Sequence, residues 1–247
     1  MVRFRFVVAA AITAASAPVL AQPWVFTPQA ASGDRVGVEM LGGSRDAGAF
    51  GRHGAELRAS WQHEASAGWT LEAGTGVLRD PTSDGVESSY AGEARYAWAD
   101  SGVSTGFGAR VDYENVLIPS LRLGWTQVDA AYPFAVSLVS EFPRASGRDA
   151  ADLLFTAGQR LPCSASFECA LEIAGEDLEG FFNPEEAEGG ARLILGPSLG
   201  WQTGTGRTLR LFAGWIHAAT SNIPTRAGYA SEPRDGAMLR LALNFGE

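Results

Sequence analysis

From Ala55 onward, apolar and polar residues alternate with a period of two. Ala55, Leu57, Ala59 and Trp61 stand against Glu56, Arg58, Ser60 and Gln62. Such a segment is a strand with one face covered by apolar surroundings and the other facing water or charge. The same alternation runs through Trp69–Val77, Tyr90–Trp98, Val103–Tyr113 and Leu121–Thr126. It resumes near 133–141, 150–161, 167–174, 191–202, 207–217 and 237–245, with a weaker segment at 34–41. A helical period fits none of these windows well. The pattern predicts about twelve strands, most near the 9–11 residues that a tilted strand needs to cross a bilayer. Pro119 and Pro197 fall inside two of them. A proline deletes a ladder hydrogen bond, so both are expected at bulges or strand ends, and a count of ten stays open.

The predicted links alternate in length as well. Those near 42–53, 79–87, 142–149, 175–190 and 218–236 are long, and 114–117 is a short exception. Those near 63–68, 99–102, 128–132, 162–166 and 203–206 are short. Short turns on one rim and long loops on the other suit a closed antiparallel transmembrane β-barrel. A soluble sandwich has no reason to sort its loops. Trp61, Trp98, Trp125 and Trp201 end their strands beside short turns, and Trp69 begins one after such a turn. All five stand in the apolar phase, which predicts an interfacial girdle at one depth. A soluble core would scatter them.

The ends of the chain carry the next signals. Arg3 and Arg5 precede an uncharged run from Phe6 to Ala17, too short to span a bilayer, followed by Val19-Leu20-Ala21. This reads as a signal peptide over 1–21, then an N-terminal periplasmic segment over 22–33, with the barrel over 34–247. At the other end Leu239, Leu241, Leu243 and Phe245 alternate with Arg240, Ala242 and Asn244, and Gly246-Glu247 follow. This strand resembles the C-terminal assembly strand of Gram-negative outer-membrane β-barrel proteins. The resemblance covers nearly the whole mature chain and names no single family. It implies an outer-membrane location, contact with membrane lipids and lipopolysaccharide, and passage through the barrel-assembly machinery.

Composition narrows the chemistry. The 247 residues are 46% hydrophobic and 19% charged, with a net charge of −9 and no lysine. An acidic chain without a basic footprint is not expected to bind nucleic acid. With 3 His and 2 Cys, no metal motif is present and no cofactor is expected. Cys163 and Cys169 lie in the outward phase on either side of a short turn. After export to an oxidising compartment they are expected to form a disulfide.

The polar phase supplies the candidate site. Glu56, Glu72, Glu93, Asp112, Asp152, Glu168 and Glu172 share it with Arg58, Arg95, Arg110, Arg122, Arg192, Arg210 and Arg240. At mid-depth an Arg facing lipid costs about 2–4 kcal/mol, so these side chains are expected to line the lumen. The leading reading is a narrow passive channel for small polar solutes. The alternative is a non-conducting barrel, its charges paired into a plug, with a role in envelope structure or surface interaction. The third is a lipid-processing enzyme. Outer-membrane lipases and lipid A deacylases carry His-x-Ser-Asn, and Trp215-Ile216-His217-Ala218-Ala219-Thr220-Ser221-Asn222 is faintly similar, but Ala219 stands where the serine belongs. The chain is therefore not expected to be an enzyme. His53 and His63 fall in predicted links without an evident partner. The link near 175–190 holds Glu176, Asp177, Glu179, Glu185, Glu186 and Glu188 without a base, which reads as a solvated surface loop.

Overall fold

The computed structural model describes residues 34–43, 55–66, 68–79, 86–99, 101–111, 115–127, 133–144, 151–164, 166–176, 192–204, 206–218 and 234–246. The expected signal peptide, the 22–33 segment, Asp112, His53, Ser221 and most of the acidic link lie outside them. Twelve strands follow one another: β1 (Asp34–Gly43), β2 (Ala55–Ser66), β3 (Trp69–Arg79), β4 (Val86–Ala97), β5 (Val103–Val111) and β6 (Leu117–Gln127). Then come β7 (Phe134–Glu141), β8 (Asp152–Leu161), β9 (Phe167–Glu176), β10 (Arg192–Gly204), β11 (Arg207–Ala218) and β12 (Arg234–Gly246). Each strand pairs with the next in the chain, and β12 closes onto β1, so the sheet is one closed barrel. Every pairing is antiparallel, including β1 with β12 from Arg35↔Gly246 to Gly43↔Met238. Closure leaves no unpaired edge, which lets strands cross a membrane.

The alternation of the sequence becomes the two faces of the wall. In β6, Leu117, Leu121, Leu123 and Trp125 are exposed, while Ile118, Ser120, Arg122 and Gly124 are buried. The arrangement is inverted relative to a water-soluble protein. Glu56, Arg58, Glu93, Glu141, Glu172 and Arg240 are inside, and Val38, Leu57, Phe107, Leu121, Leu199 and Leu239 are on the outer surface. An apolar outer band of that kind is stable only against lipid, whereas water would drive it together. Trp61, Trp69, Trp98, Trp125 and Trp201 are all on the exposed face. Trp69, Trp98, Trp125 and Trp201 lie within three residues of a strand end at the short turns, whereas Trp61 does not end its strand, because β2 runs on to Ser66. In the last strand Leu239, Leu241 and Phe245 are exposed and Leu243 is half-buried.

Three of the short turns use the same device. Gly68, Gly102 and Gly206 each adopt a positive φ immediately before the next strand. Their carbonyls then accept hydrogen bonds from Ala97, Thr126 and Gly246 on the adjacent strand, at 2.7, 2.8 and 2.8 Å. Only glycine reaches that conformation without steric cost.

Some expectations hold here and others change. The count is twelve, as the alternation predicts, and the alternative of ten falls away. Pro197 is at neither a bulge nor an end but in the middle of β10. Pairing of β10 with β11 stops after Leu195↔Trp215 and resumes in the same register at Ser198↔Phe212. The missing N–H is absorbed by this gap, while Gly196 and Pro197 keep their register with Glu172 and Leu171 of β9. Pro119 lies three residues into β6, and its carbonyl accepts the Phe142 N–H at 2.8 Å. His63 is not in a link, because β2 runs on to Ser66. Cys163 and Cys169 form a disulfide with a Cα–Cα separation of 5.8 Å, bridging the end of β8 and the start of β9.

Candidate functional site

The inner face of the barrel carries the chemistry, and its charges are paired. Arg58 donates through Nε and Nη2 to both oxygens of Glu56, two residues away on the same strand, at 2.6 and 2.8 Å. Arg110 on β5 makes the same forked contact with Glu141 on β7, at 2.9 and 2.7 Å. Arg122 on β6 donates from Nε to both Glu93 oxygens on β4, at 2.8 and 3.0 Å, and from Nη1 to Ser137 on β7 at 2.8 Å. Arg240 on β12 reaches Glu39 on β1, with Nη2 to Oε2 at 2.9 Å. Glu168 on β9 lies between Arg160 at 3.6 Å and Arg210 at 3.4 Å, and Arg95 is 3.7 Å from Glu72. The Ser198 hydroxyl donates to Glu172. Two-pronged guanidinium–carboxylate contacts fix orientation as well as charge.

The direction of these pairs matters more than their number. Each joins residues on the same strand, on adjacent strands, or on strands separated by one. The pairs run around the wall and none of them spans the bore. Glycines on the intervening strands make room for this. Gly200 is in register with both Glu168 and Arg210. A Cβ there would lie 3.4 Å from the Glu168 Cβ and 3.6 Å from the Arg210 Nε. Gly106 separates Glu93 from Arg122, and a Cβ on it would come within 2.9 Å of Glu93 Oε1. Gly37 sits under Asn244 and Ser60, whose oxygens would each be 2.7 Å from an added Cβ. The polar side chains therefore lie flat over bare backbone.

The sequence-derived set falls into place unevenly. Glu56, Arg58, Glu93, Arg122, Glu172, Arg210 and Arg240 are buried inside, and Glu72, Arg95, Arg110, Asp152 and Glu168 are half-buried. Arg192 is the first residue of β10. Glu39, Glu141, Ser137 and Ser198 complete pairs that the sequence reading missed. Glu39 shares strand parity with Gly37 and Leu41, and Glu141 with Ser137 and Val139. That parity was the available signal.

A second omission is an apolar stretch of the inner wall. Leu41, Ile194, Phe212, Ile216, Met238 and Ala242 form one buried cluster on β1, β10, β11 and β12. Phe212 and Ile216 share parity with Arg210 on β11, and Met238 and Ala242 with Arg240 on β12; Ile194 is in register with Ile216 and Leu41 with Arg240, so all six face inward. At the rims, two histidines pair with aspartates across strands. His63 Nδ1 is 2.5 Å from Asp34 and its ring stacks on Trp61, while His217 Nδ1 is 2.9 Å from Asp235 and stacks on Trp215.

A closed twelve-strand antiparallel barrel, apolar outside and charged inside, defines an outer-membrane β-barrel protein. No family model matches the chain, and no curated protein matches it. Solved structures do. The chain is similar to a KdgM porin in complex with disordered oligogalacturonate, at 12% identity and a TM-score of 0.57, covering 86% of this chain and 99% of that one. A second KdgM porin structure gives 11% identity and a TM-score of 0.54 over 86% of this chain and 99% of that one. A NanC porin gives 10% identity and 0.57 over 86% of this chain and all of that one, at 100%. At these identities the likeness is one of fold.

Proposed function

We propose that the chain is a narrow passive channel for small polar solutes across the outer membrane. The observation that carries this reading is the circumferential pairing of the lumen charges. Among the described residues these ion pairs tie the lumen charges to the same or nearby strands and none of them joins opposite walls, which supports a bore not crossed by salt bridges. The pairing also argues about the solute. The arginines from Arg58 to Arg240 in these contacts each meet a carboxylate, so the wall presents compensated charge and not a cationic track. That differs from what a polyanionic sugar would demand. The test is conductance of the purified protein in planar bilayers. Discrete openings are expected, and Arg110→Ala or Arg122→Ala is expected to shift the cation-to-anion preference. A complete lack of conductance would defeat the channel reading.

One observation favours a non-conducting barrel as the second reading. Leu41, Ile118 and Ile216 are 0% exposed and Glu141 is 1% exposed, so the interior is tightly filled at that level. The same conductance measurement separates the two. For an enzyme, the signature discussed above needs a hydroxyl two residues after His217, and Ala219 does not supply it.

A further inference from the structure

The inner wall differs between its two ends. In the half nearer the long links, inward residues such as Leu41, Ser89, Ile118, Leu154 and Ile194 are buried. In the half nearer the short turns, Gln62, Thr70, Ser104, Thr126 and Asn244 are half-buried and polar, so this end holds a vestibule that solvent reaches. Two ion pairs stand in it. Glu72 on β3 and Arg95 on β4 have side chains 31% and 28% exposed, and their charged ends are 3.7 Å apart, beyond hydrogen-bond reach. Beside them Glu93, in register with Glu72, is fully buried and hydrogen-bonded to Arg122 at 2.8 Å. In the ring of twelve, β9 stands opposite β3. There Glu168, which also meets the buried Arg210, is 3.6 Å from Arg160 of β8, and both Glu168 and Arg160 are partly exposed. The buried pairs are tight and the vestibule pairs are loose.

We infer that this vestibule binds small zwitterions, such as α-amino acids, and that these are the solutes the channel favours. The inference rests on the channel reading. A loose, water-exposed ion pair is weakly held, so its charges can turn to a solute, whereas a buried hydrogen-bonded pair cannot give up a partner without leaving a buried charge unmatched. Glu72 and Arg95 together form a dipole lying along the wall. A zwitterion whose ammonium and carboxylate are a few atoms apart lays the opposite dipole on it. Its carboxylate meets the Arg95 guanidinium, and its ammonium meets the Glu72 carboxylate. Charges then alternate and none is left unmatched. A simple anion matches Arg95 alone and meets Glu72 beside it, and a simple cation has the converse difficulty. An uncharged solute matches neither. Thr70, in register with Arg95, and Gln62, in register with Glu72, add neutral donors and acceptors at the two ends of the dipole. Glu168 and Arg160 present the same sequence of charges on the facing wall.

The experiment is swelling of liposomes containing the purified barrel, in isotonic glycine and in isotonic glycolamide, with the rate of protein-free liposomes subtracted. The two solutes are isomers, one zwitterionic and one uncharged, so size does not separate them. The stronger hydration of glycine would make it the slower of the two in a bore without a site. The expected result is entry of glycine several-fold faster than glycolamide. Glu72→Gln combined with Arg95→Gln keeps polar side chains on the wall and removes the dipole, and is expected to lower the ratio of glycine to glycolamide entry. Glycine entering no faster than glycolamide in the wild type overturns the inference, whatever the variant does. An unchanged ratio in the double variant also overturns it. If neither isomer nor any ion crosses, the channel reading itself fails, which is a distinguishable outcome.

Discussion

Arg122 shows how a single lumen residue is held. Its guanidinium is shared between Glu93 and Ser137, and both ends of the ion pair are nearly buried. Removing one partner of such a pair leaves an uncompensated buried charge, which costs up to about 3–5 kcal/mol, while replacing both is far cheaper. Arg122→Ala is therefore expected to lower the temperature at which the folded form converts to the unfolded one on an unboiled gel. The double variant Glu93→Gln, Arg122→Ala is expected to recover much of that loss. Equal loss in the two proteins would mean that the pair carries no coupling. The residue scale also shows why His63 was misplaced by pattern. Beyond Gln62 the strand leaves the hydrocarbon depth, and a polar residue in the outward phase, His63 itself, ceases to be costly. Alternation stops marking the strand there, although its hydrogen bonds continue to the shift between Glu64 and Ser66.

At the scale of strands, glycine has a role that composition alone does not reveal. Gly106 lies between Glu93 and Arg122, and an added Cβ would press first on the Glu93 carboxylate at 2.9 Å, with the Ala94 carbonyl next at 3.3 Å. Gly106→Ala is thus expected to assemble normally and to push Glu93 toward the axis, lowering single-channel conductance. Gly92→Ala is the control, since its Cβ would meet only the Glu72 carbonyl at 3.7 Å. Equal conductance in the two variants would refute the account of how the bore is kept open. The β8–β9 hairpin yields another prediction. Cys163 and Cys169 are separated by 6 in sequence, so the loop their bond closes is short and its contribution is at most about 2–3 kcal/mol. Register in this hairpin, from Phe155↔Gly175 to Leu161↔Cys169, rests on which face meets lipid. Cys163→Ser with Cys169→Ser is expected to assemble with a modestly lower melting temperature. Thiol labelling of the unreduced wild type is expected to find neither cysteine free.

For the whole molecule, the even strand count puts both ends of the barrel on one rim. That is the rim of the turns at Gly68, Gly102 and Gly206, with Asp34 and Gly246 beside it. In outer-membrane barrels the short turns are periplasmic. Protease added to intact cells is expected to cut within 177–191 or 219–233 and to spare the short turns. Cutting confined to the short turns would invert the topology. The sequence by itself determined the strands, their number to within two, the lipid face and the sorting of links. Period two is a local property, and lipid enforces it on every exposed position independently. It also placed Arg58, Arg122 and Arg240 on the inner face, because parity alone decides that. Only the tertiary structure decided which carboxylate each arginine meets. Arg110 with Glu141 and Arg122 with Glu93 each step over a whole strand, at a distance set by the register of two ladders. The apolar inner wall was hidden for a related reason. In Leu193-Ile194-Leu195 and Ala237-Met238-Leu239 both faces are apolar, so the alternation vanishes, and which residue points inward is settled by the pairing of its neighbours once the barrel closes.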